Sequence, residues 1–219
     1  VQGFSDDEFE IIMVDDGSND GTKELMGKIA NDHSNIHLLY HEENKGGGAA
    51  RNTGIKKAVG EIIYCLDSDN FFAKNSVRPM IEHLEKSGVD GVVFYERRFF
   101  TGVNIKKFES HFNTIQNRTI ELSDLFNDSG TLLDNFFFTK ESYSRTDGYP
   151  EHHGFDTQCF EVRFLSSGNT VTVAPVSIFW HRQAYNKKSY FERVYESGEL
   201  SLNMYYIYEE ILHLFSKEA

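Results

Sequence analysis

Five short stretches carry residue types that can do chemistry. Asp15-Asp16-Gly17-Ser18 ends one apolar run and Asp67-Ser68-Asp69 ends another. Between them lies KGGGAARNTG, a run of glycines followed by Arg51 and Asn52. Further on, Asp156 opens a stretch with helical spacing, and His181 and Arg182 follow Trp180 at the close of a late apolar run. Two carboxylates one residue apart, where a buried strand runs out, suit a hard cation such as Mn²⁺ or Mg²⁺ completed by substrate phosphate. They suit a helix N-cap cluster equally well. Consecutive glycines opening a helix expose backbone N–H groups at its positive end, a place for an anion; the plain alternative is a flexible turn.

Familiar motifs fail in both of the first turns. DDGSNDGT puts Asp16, Ser18, Asp20 and Gly21 where a calcium loop needs them, but its last ligand position falls on Gly27 and a strand precedes it. KGGGAARNTG holds neither GxGxxG nor a Walker GK[ST]. The acidic turn is therefore either an easily formed Asp/Gly turn or a ligand site at the carboxyl end of a parallel strand.

The elements that must position these residues alternate through the first half. Strands are predicted at 10–14, 35–40, 61–66 and 91–95. Helices are predicted after the first turn (Leu25, Met26 and Ile29 on one face), from the glycines through Ala58, and at 76–86 with Pro79 in the first turn. Ser18 or Asp20 can cap the first of these helices. Such alternation argues a largely parallel α/β sheet. The second half is less regular. Residues 99–130 read mostly as loop with a short helix at 122–127, followed by a strand at 135–138 and a helix at 156–166 closed by Gly168. Strands at 170–174 and 177–181 flank Pro175, and 190–215 reads as an amphipathic helical tail carrying Tyr195, Tyr205, Tyr206 and Tyr208.

Composition sets outer limits. The chain has 219 residues with a net charge of −12, which argues against nucleic acid as a partner because phosphate binding needs a basic face. There is no apolar run long enough for a membrane span and no leader at the start. Cys65 and Cys159, the two cysteines, read as buried free thiols of a reducing compartment, which places the chain in the cytoplasm, with contact at the inner face of the membrane left open.

Taken in order, FEIIMVDDGSNDGT, GGGAARNTGIKKAVGEIIYCLDSDN and, more weakly, GYPEHHGFDTQCFEVRFLSSG resemble family 2 glycosyltransferases of the GT-A fold. The resemblance is strong over roughly 8–95 and looser over about 130–183. It implies a mixed, mostly parallel sheet flanked by helices. It also implies that the fold's first strand and helix, with part of the donor pocket, have no counterpart in this chain. Residues 1–98 would form the nucleotide-sugar half, 99–185 the acceptor-side half of the same domain, and 186–219 the tail.

Roles follow from the same resemblance. Asp16 would contact the base of a sugar nucleotide, with Asp15 and Ser18 in the same turn. Arg51 and Asn52 would lie near the nucleotide, and Asp67 would touch the ribose or support the metal. Asp69 would ligate Mn²⁺ or Mg²⁺ on the diphosphate, and His181 or Arg182 would meet that diphosphate. The reaction would invert the anomeric centre, moving a sugar from a nucleoside-diphosphate donor, UDP by default, to a hydroxyl of a glycan or glycoconjugate acceptor in cell-surface polysaccharide synthesis.

One phrase departs from the family pattern. Counting from Gly154, Asp156 stands where the family has Glu and Thr157 where it has Asp. Either Asp156 serves as the base, or the phrase is shifted, or the acceptor chemistry is altered. A helix cap is the plain reading of Asp156, and His152 and His153 are reserve candidates. The departure keeps a second function in view, a domain that binds sugar nucleotide or glycan without turnover. A nucleotidyltransferase is disfavoured, because the first strand is followed by an acidic turn and not a basic one.

Overall fold

The computed structural model describes residues 2–102, 105–125, 133–151 and 155–183, with Ser197, Tyr206, Glu209 and Leu212 each helical. The rest of the expected tail helix, together with His152 and His153, lies outside the described residues.

Apolar runs of six residues become β1 (Ile11–Asp16) and β2 (Ile36–His41), paired in parallel from Ile11↔Ile36 to Asp16↔His41. Parallel neighbours need a crossover, and α1 (Thr22–Ala30) supplies it. Its start is held by Asp20, whose Oδ1 accepts from the Thr22 amide at 3.2 Å and hydroxyl at 2.6 Å. Of the three apolar residues expected to share a buried face, Met26 is buried whereas Leu25 and Ile29 are exposed. The next helix, α2 (Gly47–Lys57), packs on β1.

The second sheet runs β3 (Ile62–Ile63), β7 (Phe137–Thr139), β5 (Gly91–Thr101), β8 (Val171–Gln183), β4 (Phe71–Phe72), with β6 (Phe108–Phe112) paired to the far end of β5. Its β5–β8 ladder is parallel and the others antiparallel, so the sheet is mixed. Helix α3 (Val77–Ser87) buries Val77, Met80 and Leu84 at one-turn spacing and stops at Gly88 with φ +65°. Phe137 and Thr139 lead into α4 (Lys140–Ser144), capped by the Thr139 side chain, and α5 (Asp156–Ser166) follows.

Three expectations change in space. The strand expected over 61–66 shortens to β3, and the chain turns through the acidic residues before resuming as β4. Residues 99–101 and 108–112, in a stretch expected mostly as loop, extend β5 and form β6, pairing Glu96↔Phe112 through Phe100↔Phe108. The two strands expected around Pro175 form one, β8. Proline has no amide for the ladder, and the register shifts opposite it, between Phe94 and Glu96. Ser177 repairs the gap: its Oγ accepts from the Tyr95 amide at 2.9 Å and donates to the Ala174 carbonyl at 2.7 Å.

One core cluster joins Ile55, Ala58 and Ile63 to Phe136, Phe138, Phe160, Phe164 and Val173, so residues before and after position 98 share an interior. A second lies under α3, where Phe72, Phe94, Phe137 and Phe179 surround Tyr64. Cys159 is buried in α5, and burial pushes the Cys65 thiol up to about 11.

Candidate active site

The turn after β1 is held from within. Asp15 is buried, its Oδ2 accepting from the Ser18 amide at 3.2 Å and lying 3.7 Å from Lys23 Nζ. Its Oδ1 is buried with no hydrogen-bond partner among the described residues. Asp16 takes His41 Nδ1 at 2.7 Å and the amides of Lys45 and Gly46 at 2.9 and 2.8 Å. Burial works to raise its pKa, but those amides and the His41 ring outweigh it and hold the carboxyl below its usual range. His41 Nε2 lies 2.9 Å from Thr53 Oγ1, so Asp16 ties β1 and β2 to α2. Only glycine fits at position 17: its φ is +74°, and a Cβ would stand 2.7 Å from the backbone of Glu43 and Asn44.

Helix α2 begins against Pro150 and Asp156. A Cβ on Gly48 would overlap the Pro150 carbonyl oxygen, and one on Gly47 would lie 2.8 Å from Asp156 Oδ2. The glycine run therefore serves close approach of backbone to backbone. One turn later Arg51 divides its guanidinium between two carboxylates, Nη2 to Asp67 Oδ1 at 2.7 Å and Nη1 to Asp156 Oδ2. Burial alone would lower the pKa of Arg51; Asp156 and Asp67 outweigh it and push it up. Asn52 is used throughout: its Nδ2 donates to Tyr149 O and Glu151 Oε1, and its Oδ1 accepts from the Tyr143 hydroxyl and the Tyr149 amide. It ties α2 to the 143–151 segment.

In the turn after β3 the two carboxylates differ. Asp67 Oδ2 accepts from Asn135 Nδ2 at 3.0 Å and Asn70 Nδ2 at 3.3 Å, which with Arg51 fixes the group. Asp69 and Ser68 are exposed, and Asp69 accepts no hydrogen bond from a described residue. Asn70 also reaches β8, accepting from the Arg182 amide at 2.9 Å and facing His181 Nδ1 at 3.5 Å. Burial and the nearby Arg97 lower the pKa of His181 against the pull of Asp67 and Asp69. Arg182 lays its guanidinium 5.3 Å from the Phe100 ring centre, with Nε buried and unpartnered among the described residues.

Asp156 is the first residue of α5. Its Oδ1 accepts from the Thr157 amide at 3.0 Å; burial raises its pKa and Arg51 pulls it back. The fold thus gathers Arg51, Asp67 and Asp156 at one point, with Asp69, Asn70, His181 and Arg182 beside them. Asp16 is engaged by the amides of Lys45 and Gly46 at α2's start, the Ser18 amide by Asp15, and Asn52 by Tyr143, Tyr149 and Glu151. Sequence reading missed Asn70 and Asn135, which aim Asp67, and Tyr149, whose ring lies under Arg51 at 5.5 Å. It also missed Arg97, paired with Asp134 and brought down to about 10 by burial. Asn70 adjoins the acidic pair and was the one legible clue.

The residues fit a divalent cation in one respect. Among the described residues no three His, Cys, Asp or Glu side chains gather to enclose an ion, but Asp69 offers a free carboxylate beside a fixed one. Magnesium-type ions use one or two carboxylates and complete their shell with substrate phosphate and water.

Comparison with known proteins gives this arrangement its context. The family profile "Glycosyl transferase family 2" matches residues 2–146. The chain is 28% identical over 186 residues to glycosyltransferase GlyG of Streptococcus pneumoniae, covering 80% of this chain and 61% of that protein. Its fold matches S. aureus TarS 1-349 in complex with UDP-GlcNAc with a TM-score of 0.67 at 21% identity, over 85% of this chain and 53% of that one. It also matches the mannosyltransferase PcManGT of Pyrobaculum calidifontis in complex with GDP-Man and Mn²⁺, TM-score 0.58 at 20% identity, over 82% and 49%. The chain therefore spans about half to three fifths of these proteins' length. No helix among the described residues is long and apolar enough to cross a membrane. The strand order, the acidic turn and the profile match agree: the chain has the GT-A fold and belongs to glycosyl transferase family 2.

Proposed function

We propose that this chain carries the catalytic unit of an inverting glycosyltransferase that moves a sugar from a nucleoside-diphosphate donor, UDP-linked by default, to a hydroxyl of a glycan or glycoconjugate acceptor. The observation that carries the reading is the meeting of Asp67 and Asp156 on the two arms of Arg51. It brings the acidic turn of the first half and the first residue of α5 within one side chain of each other.

Asp69, with Asp67 beside it, would hold Mn²⁺ or Mg²⁺ on the donor's phosphates; that ion, when bound, neutralises the charge growing on the departing nucleoside diphosphate. His181 and Arg182, whose Nε has no partner among the described residues, lie at the same end and can donate hydrogen bonds to phosphate oxygen. Asp15 and Asp16 border the nucleotide side. Asp156 receives the proton of the acceptor hydroxyl as its oxygen attacks the anomeric carbon from the face opposite the leaving group, which inverts the centre. Burial favours this role by raising its proton affinity, and general-base help of this kind is worth about 10²–10⁴-fold. The acceptor belongs to cell-surface polysaccharide synthesis on the cytoplasmic side, on the strength of the sequence resemblance.

A second reading rests on Thr157 standing where the family has a carboxylate: a domain that binds the donor without turning it over. Thermal melting with UDP and GDP, each with and without Mn²⁺, tests the common part, because a ligand of the native state raises stability with occupancy. Release of sugar from UDP-GlcNAc, UDP-glucose or UDP-galactose separates the two. No melting shift with any nucleotide sinks both; a shift without sugar release or transfer leaves the binding domain.

A further inference from the structure

We infer that Arg51 is a positioning residue whose guanidinium sets the spacing between Asp67 on the donor side and Asp156 on the acceptor side, and that it does not grip the donor's diphosphate. The inference rests on the glycosyltransferase reading above.

Both contacts use separate nitrogens of one rigid plane, Nη2 on Asp67 and Nη1 on Asp156, so the plane fixes one carboxylate relative to the other. The plane itself is held. Its centre lies 5.5 Å from the Tyr149 ring, which is buried and stacked 3.9 Å from Phe160 of α5. The carboxylates are braced from behind as well, Asp67 by Asn135 and Asn70 and Asp156 by the Thr157 amide. Gly47 leaves the space this needs, since a Cβ there would lie 2.7 Å from Nη1.

Charge points the same way. Arg51 is one cation between two carboxylates, only 17% exposed. An anion brought to it would have to approach beside Asp67, which is the more exposed partner at 37%. The residual negative charge attracts a cation at the Asp69 end, and the diphosphate follows that cation. The contact with Asp156 also spans 105 residues of sequence, so among the described residues this side chain joins Asp67 directly to Asp156.

The test uses the whole chain. In Arg51→Lys, whose point charge cannot span both carboxylates, the Kd for UDP with Mg²⁺ by calorimetry stays within about threefold while kcat for sugar release from a cleaved UDP-sugar falls on the order of 10²-fold. In Arg51→Ala, added methylguanidinium restores kcat and leaves the UDP Kd alone. A crystal structure of the wild-type UDP–Mg²⁺ complex, which needs no variant to fold, keeps both Arg51 contacts. A UDP affinity that falls in step with kcat, an unchanged kcat in Arg51→Lys, or either Nη moved onto a phosphate oxygen overturns the inference. A wild-type chain that neither binds UDP–Mg²⁺ nor cleaves a donor overturns the underlying reading with it, an outcome no variant can imitate.

Discussion

Asp16 ends β1 and Asp69 lies in the turn after β3, and the two acidic turns flank the same helix. Asp16 accepts two backbone amides and a histidine nitrogen, whereas Asp69 accepts nothing from a described residue. The first carboxylate is consumed in joining β1, β2 and the start of α2. The second stands exposed on a turn whose other members, Asp67 and Asn70, are braced against β8 and the 134–135 segment. A carboxylate with satisfied lone pairs stabilises a fold; one left unsatisfied on a rigid support is available to a ligand. Identical side chains in similar turns thus differ in engagement, one hydrogen-bonded and one exposed.

The sharpest way to break that contrast is Asp69→Ala. Sugar release falls on the order of 10²–10³-fold, as when a group that stabilises the departing charge is removed, while the melting temperature is unchanged. Residual activity near wild type in the presence of Mn²⁺, or a large loss of stability, would make the two turns equivalent.

Gly48→Ala probes the close approach that the sequence presents as a phosphate-style turn. The added methyl meets the Pro150 carbonyl, so urea unfolding shows a loss of about 1–3 kcal/mol or more, as overpacking costs. An unchanged midpoint would show that α2 can move away from Pro150 freely.

Asp16→Asn should cost about 1–3 kcal/mol at pH 7, because an amide nitrogen then faces backbone donors that the carboxylate oxygens had satisfied. Its pH dependence has a definite sign. The pKa of Asp16 in the fold lies below its ordinary 3.8, so the ionised group stabilises above about pH 4 and loses that contribution as pH falls through the folded value. The gap between wild type and variant therefore closes toward pH 2; a constant gap from pH 7 to 2 would remove the carboxylate's charge from the explanation. Smallest in effect is Asn70→Ala, which frees the β8 end and loses about 1 kcal/mol of stability. It also weakens UDP–Mn²⁺ binding several-fold on that scale, and unchanged nucleotide affinity would detach β8 from the site.

Residues 10–60 and 76–95 were largely legible because each local signal there agrees with its neighbour. Apolar runs of strand length end in Asp or Gly, and helices follow at crossover spacing, so strand ends and acidic turns can be placed together. Residues 96–112 were not, since FESHF carries charge and aromatics on an edge strand, and its pairing with β5 is a contact the local sequence does not announce. Pro175 misled for a related reason. It breaks a ladder locally, and only the Ser177 hydroxyl, seen in place, shows how one strand continues past it.

By itself the sequence determined the acidic turns, the glycine-rich helix start, the family and the identity of Asp67 and Asp69, because these follow from residue type and short spacing along the chain. The tertiary structure alone decided which carboxylates are engaged and which are free. Hydrogen-bond saturation depends on groups far apart in sequence: Lys45 and Gly46 on Asp16, Asn135 on Asp67, Arg51 on Asp156. Partners of that kind are set by how β1, α2, β3 and α5 pack, and no local pattern encodes the distance between them.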